Sequence, residues 1–319
     1  MKTISKILMF LIIASSVIIL NGCEKSASNK KRIGIVLPIE HQSLNEIVNG
    51  FEVTLTALYK KPIEFEVANA AGDINIEHAI ITKMRDENYD LIVPIATSTS
   101  QMTVAIIKNK PIVALAADYP EKDRIPKQTC NIAVVDDEIN KTQIIAFIHS
   151  AYPQLKTLTL IHSASDKIFP EVAEVKQAAL RYGINLHVFM IQNLPDLYSV
   201  GEAIPNDSEA IFILKDSVIA SGIETLIKIA AKHQIPLITS DDGTISKGAS
   251  FAVGVHEKAI GSEGAKLASA ILNGKNPCLL PITKMTKPTV FINKHIGTEN
   301  IAQLRKTAQK LSLPIELIN

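Results

Sequence analysis

The chain has 319 residues, with 33 Lys and Arg against 32 Asp and Glu, and a formal net charge of +1. Acidic and basic residues are mixed throughout with no basic stripe, which argues against a nucleic acid partner. Trp is absent, aromatics make up 5%, and there are three Cys.

Lys2 and Lys6 precede an apolar run over 7–20 that is relieved only by Ser15 and Ser16. The run is too short for a comfortable bilayer span and reads as a secretory signal peptide over 1–22. Leu20, Asn21, Gly22 and Cys23 resemble a bacterial lipobox, with a small residue before the Cys and a Leu three before it. That resemblance implies cleavage before Cys23 and acylation of its sulfur, usually with a further chain on the new amino terminus. Two or three chains hold a protein on a membrane, whereas one is marginal. The alternative is a secreted protein whose leader happens to end in Cys. Residues 23–31 are polar and rich in Ser, Asn and Lys, and read as a lipidated tether. The folded part is expected from Arg32, leaving about 290 residues, room for two lobes with their own cores.

From there the pattern alternates between strand and helix. A strand is predicted over 33–39 and a helix over 44–59, with Ile47, Phe51, Leu55 and Leu58 at helical spacing. A strand over 63–67 runs into the turn 69–73, followed by a helix over 74–88. The strand over 90–96 ends in Thr97, Ser98, Thr99 and Ser100, an N-cap region for a helix over 101–108. A buried strand over 111–117 ends at Asp118. After Asn131 the same order restarts: helices over 137–151, 168–182, 218–233, 259–273 and 301–311 alternate with strands over 155–162, 186–191, 209–214, 236–239, 251–255 and 290–293. Residues 314–318 read as a tail. Strands apolar on both faces, alternating with helices, predict an α/β fold of mostly parallel sheets flanked by helices.

Polar residues collect at the carboxyl ends of the strands: Glu40 and His41, Thr97 to Gln101, Asp118, Asp216 and Ser217, and Asp241. Ligands of open parallel sheets bind there, because helix amino-termini point unpaired N–H groups into the same space. Any one of these residues could simply cap a helix; the set together predicts a binding cleft. Glycine-rich nucleotide loops, His and Cys metal patterns and a nucleophile elbow are all missing, so no cofactor, no metal and no catalytic residue is expected. Once Cys23 is lipidated, Cys130 and Cys278 remain. Cys is among the most buried side chains, so two buried thiols are expected, although an oxidising compartment permits a bridge.

Several segments resemble the ABC-transporter substrate-binding lipoprotein family that includes tryptophan- and tyrosine-binding members. They are Ile39-Glu40-His41, Gly50-Phe51, Asn69 through Asp73, Ala96-Thr97 through Gln101, Pro111 through Asp118, Asp216, Asp241, Lys247 through Ala249, Gly261 and Asn293. Their order and spacing cover nearly the whole mature chain. The resemblance implies a two-lobed periplasmic-binding-protein type I fold. It also implies a monomeric receptor that delivers a small ligand, such as an amino acid, to an ABC permease with a separate ATPase. Thr97, Ser98 and Thr99 are implied to hold a carboxylate, and Asp118, Asp216 or Asp241 an ammonium. The fold implies three lobe crossings, near Asn131, Ser250 and Pro277. Lobe one is then 32–131 plus 251–276, and lobe two 132–250 plus 277–319.

The departures fall in cleft-facing loops. In the loop after the first strand of lobe two, the family's Asn-Ser pair is absent, and Asp166 is left to stand for its Glu. Gln42 and Ser43 replace a usual Pro and Leu, Ser217 replaces an Asn, and Val255-His256-Glu257 stands where an Asp is expected. A hydrogen-bonding site discriminates strongly against ligands that leave it unpaired, so these changes predict an altered ligand. Tyr119 and Phe169 are the candidate aromatic platforms. The competing readings are a ligand-sensing lipoprotein of the same fold and, from another class, a cleft enzyme.

Overall fold

The computed structural model describes residues 30–119, 130–165 and 167–319. The leader, Cys23 and Asp166 lie outside the described residues. A strand that is apolar on both faces needs a cover on each side of its sheet. β1 (Lys31–Leu37), β3 (Leu91–Pro94), β4 (Ile112–Ala114) and β5 (Ile132–Asp136) are of this kind. Ile33, Ile35, Val93 and Val135 join one apolar cluster, while Val36, Ile92 and Val134 join another on the opposite face. With β2 (Ile63–Asn69) and β11 (Thr283–Lys284) they make a six-stranded sheet, β11-β5-β4-β3-β1-β2. Every neighbouring pair in it is parallel.

The second sheet follows the same rule with β6 (Thr157–Ser163), β7 (Asn185–Ile191), β8 (Ala210–Ile213) and β9 (Leu237–Asp241). Phe212 on β8 faces one cluster and its neighbours Ile211 and Ile213 the other. β10 (Phe251–Val255), β12 (Thr289–Asn293) and β13 (Ile315–Ile318) complete the order β13-β12-β10-β9-β8-β6-β7. β10 and β12 are antiparallel and the other neighbours parallel.

Helices α1 (Gln42–Leu58), α2 (Ile74–Asp86) and α3 (Thr97–Ile106) connect strands of the first sheet. The second carries α4 (Lys141–Ala151), α5 (Ile168–Arg181), α6 (Asp196–Glu202), α7 (Ser217–Ser221) and α8 (Ile223–His233). α9 (Glu257–Leu272) follows β10 in the chain yet packs on α1, and α10 (Thr298–Lys310) packs on α4. Glycine makes the α1–α9 approach possible. A Cβ on Gly261 would sit 2.0 Å from the Ile47 carbonyl oxygen, and one on Gly50 would sit 2.1 Å from that of Lys258. Thr54 Oγ1 bonds Ser262 Oγ across the same seam at 2.9 Å. Among the described residues, no helix is long and apolar enough to cross a membrane.

The chain passes between the sheets later than expected. β5 belongs to the first sheet and β10 to the second, so the crossings follow Asp136, Val255 and Lys284 rather than lying near Asn131, Ser250 and Pro277. Nothing local in an apolar strand records which of two sheets it joins. Other differences have local causes. α3 begins at Thr97, because its N-cap is Ala96 and the hydroxyl residues occupy its first turn. The single helix predicted over 218–233 breaks into α7 and α8 at Gly222, where a Cβ would meet Leu197 Cδ2 at 2.7 Å. The predicted tail is a strand, β13, because β12 offers it a parallel edge. β5, α6 and β11 were not foreseen.

The expectation of two free thiols is also corrected. Cys130 and Cys278 form a disulfide with their Cα atoms 5.8 Å apart. Cys130 precedes β5, and Cys278 lies in the short 3-10 turn Pro277–Leu279, which packs against β5. The sequence separation of 148 concealed that adjacency. The bridge fastens the run into the third crossing to the first sheet, and β11 then pairs with β5.

Candidate functional site

A parallel strand ends where the next helix begins, so carboxyl ends of strands gather helix amino-termini and their unpaired N–H groups. In this fold the two sets of ends border one space. A cavity of about 230 Å³ is walled by Pro38, Ala96, Thr97 and Ala116 from the first sheet's ends and by Ser163, Asp216 and Asp241 from the second's. Two of these residues hold left-handed backbone without being glycine: Ala96 at φ 79° and Ala116 at φ 50°. Such conformations cost of order 1–3 kcal/mol and persist where surroundings over-determine them, typically at ligand sites. Ala96 brings no side-chain oxygen to cap α3. Thr97 does not cap it either; its Oγ1 accepts from Asp118 N at 3.0 Å. Among the described residues no side chain caps α3, and its start, Ala96 to Ser98, lines the cavity.

Lys215, just past β8, sits between Asp137 and Glu257, bonding the Asp137 carboxylate and lying 2.8 Å from Glu257 Oε1. Asp137 follows β5 and Glu257 opens α9, so the two carboxylates come from the first and second crossings. Burial alone would lower the Lys215 pKa; Asp137 and Glu257 outweigh it and hold the ammonium above its ordinary range. Burial pushes Glu257 well up, with Lys215 opposing. Asp137 ends below the usual carboxylate range, because Lys215 and Lys167 outweigh its burial.

Asp216 Oδ2 accepts from Ser163 N at 2.7 Å, and Oδ1 accepts from Val218 N and Ile219 N at 3.1 and 3.3 Å. It is thus the N-cap of α7 and a tie between two strand ends. Asp241 Oδ1 accepts from Thr244 N at 3.0 Å and from Ser43 Oγ at 2.5 Å. Ser43 is on α1, so this second bond joins the lobes. Beside it, a Cβ on Gly243 would lie 2.5 Å from Ser43 Oγ and 2.8 Å from Ser43 N. His41 borders the same contact. Burial lowers its pKa, with Asp241 pulling the other way, and its Nε2 has no hydrogen-bond partner.

At the first crossing, Asp118, Asp136 and Glu138 bring carboxylate oxygens within 4.8 Å of one another. Burial, then the Glu138 and Asp136 charges, push Asp118 up to about 6. Lys284 Nζ is 3.8 Å from Asp136. This cluster was not legible from sequence, since its members come from two strand ends and a crossing.

Residues 32–311 match the family described as ABC transporter substrate binding protein. The chain belongs to that family. This ABC transporter binding protein is 41% identical over 266 residues to an uncharacterized protein of Rickettsia prowazekii (strain Madrid E), covering 83% of this chain and 84% of that one. It is 25% identical over 315 residues to the tyrosine-binding protein of Clostridioides difficile (strain R20291), covering 91% of each. A solved conserved domain protein from Vibrio cholerae superposes with a TM-score of 0.76 at 26% identity, covering 90% of this chain and 96% of that one. An ABC domain from Streptococcus pneumoniae in complex with L-Trp also gives 0.76, at 22% identity over 89% and 95%, a similarity of fold. The binding protein therefore has the two-lobed type I periplasmic-binding architecture, and the role of its family is capture and transport, not catalysis.

Of the residues singled out from the sequence, His41, Thr97, Ser98, Asp216, Ser217 and Asp241 line the cavity. Glu40, Thr99, Gln101, Asp118 and Tyr119 are not among its described lining: Glu40 and Gln101 are exposed, and Thr99 is buried behind the first turn of α3. Phe169 is 45% exposed, and it too is outside that lining. Ser43, Glu77, Asp137, Ser163, Lys215 and Glu257 line the binding protein's cavity without having been picked out as ligand contacts. Lys215 had a signal, its place at a strand end beside Asp216. Glu77 had none, since it sits inside a helix.

Proposed function

We propose that the protein captures an amino acid in the interlobe cavity and delivers it to an ABC permease, held at the membrane by a lipid on Cys23. The observation that carries this reading is a cavity walled by strand ends of both sheets and bridged by the Ser43–Asp241 hydrogen bond. The uncapped start of α3 suits a carboxylate through N–H groups and dipole, with Thr97 and Ser98 beside it. Asp216 and Asp241 supply negative charge across the gap for an ammonium. Family membership brings the permease and its ATPase, and the tyrosine-binding relative and the L-Trp complex favour an amino acid. The described lining holds no Phe or Tyr; its apolar part is aliphatic, with Ile39, Leu44, Ile47, Ile168 and Val218. The disulfide fits an oxidising compartment outside the cytoplasm.

The test is thermal unfolding of the full chain in detergent against amino acids, sugars and nucleosides. A ligand at one hundred times its dissociation constant stabilises by about 2.7 kcal/mol. Stabilisation by sugars or nucleosides only would remove the amino acid, and no stabilisation at all would remove the receptor. The intact mass of membrane-extracted protein checks the anchor: a chain starting at Cys23 with added acyl mass supports it, and an unmodified chain refutes it.

A further inference from the structure

The walls of the cavity carry an imbalance of charge. Glu77, Asp137, Asp216, Asp241 and Glu257 line it, against Lys167 and Lys215. Lys215 is already consumed by Asp137 and Glu257. Besides His41 Nε2 and Glu257 Oε1, the latter ion-paired to Lys215, three buried polar atoms on lining residues have no hydrogen-bond partner: Glu77 Oε1, Glu257 Oε2 and Ser163 Oγ. Their residues are 7%, 0% and 3% exposed. A buried acceptor left unpaired is costly, and native proteins rarely keep one without a function. Two of the three belong to carboxylates, which accept and do not donate when ionised. The space they border is therefore matched to a donor, and a charged one draws both carboxyls, which burial pushes up, toward their ionised form.

Resting on the receptor reading above, we propose that the solute this cavity takes carries more positive than negative charge: a small basic amino acid or diamine, not a neutral zwitterion. One positive group of such a solute meets the Asp216 and Asp241 side. The other meets Glu77, on the first turn of α2, and the aliphatic wall takes the methylene chain between them. Burial pushes Glu77 up, with Thr99 opposing. A bound cation favours the charged form of such a carboxyl, so capture is accompanied by proton release.

The experiment is calorimetry on the full chain in detergent with lysine, arginine, putrescine, leucine, tyrosine, glutamate and glucose, each in two buffers of different ionisation enthalpy. Lysine, arginine or putrescine is expected to bind at least ten times more tightly than leucine or tyrosine, with protons released. Glu77→Gln, which keeps the side-chain shape, is expected to weaken the cation by about tenfold, the scale of one charged hydrogen bond. Its unliganded melting temperature should stay at the wild-type value. Tighter binding of leucine, tyrosine or glutamate than of every cationic probe overturns the charge inference and leaves the amino acid receptor standing. Binding of glucose alone overturns the charge inference and the amino acid together. No binding by any probe overturns the receptor reading and this one with it.

Discussion

Asp216 has two roles that substitution can separate. Its oxygens cap α7 and hold Ser163 N, which is structural, while its charge faces the cavity. Asn retains a capping oxygen and loses the charge; Ala loses both. Asp216→Ala is expected to cost about 1–2 kcal/mol in urea unfolding, the range of a lost N-cap. Asp216→Asn should unfold near the wild-type midpoint yet bind the ligand at least tenfold more weakly. Unchanged affinity in the Asn variant would reduce Asp216 to a cap. Asp216 and Asp241 were legible in the sequence, because Asp and Ser directly after an apolar strand mark its carboxyl end. Glu257 and Asp137 were not, because their role depends on Lys215, which is 78 residues from Asp137. Removing that lysine leaves two buried carboxylates without their cation, and breaking a buried pair in this way costs roughly 3–5 kcal/mol.

Among the elements, the run into the third crossing shows what a covalent tie does for a short segment. β11 is two residues long, too short to hold a sheet edge by its own hydrogen bonds. The Cys130–Cys278 bridge, the 3-10 turn against β5 and the β11–β5 pairing act together there. In the chain-entropy account, closing a loop of this length stabilises by at most about 5 kcal/mol. Replacing both Cys130 and Cys278 by Ser is expected to lower the unfolding free energy by several kcal/mol, read from denaturant midpoints with and without reductant. A variant as stable as the oxidised wild type would show that packing alone holds the segment. Most strands were legible because the apolar runs of β1, β3, β4 and β8 follow from burial on two faces. Sheet membership was not: β5 and β10 look alike in sequence and lie in different sheets, so the expected lobe boundaries were early at every crossing.

For the whole molecule, one close contact between the lobes is small. Gly243 lies against Ser43, and Ser43 Oγ bonds Asp241. That contact leaves no room for a Cβ at 243. Gly243→Ala is therefore expected to keep the unfolding free energy of each lobe while disfavouring closure. Ligand affinity should fall, and the radius of gyration at saturating ligand should stay nearer the unliganded value in small-angle scattering. Wild-type affinity and compaction would show that closure does not pass through this contact. The seam between α1 and α9 has a consequence of another sort. α9 is made only after the ten strands and helices from α4 to β10, yet it covers the side of α1 on which Gly50 lies. A nascent chain therefore carries that greasy flank bare until residues near Leu272 emerge, and the half begun first is among the last parts to be finished.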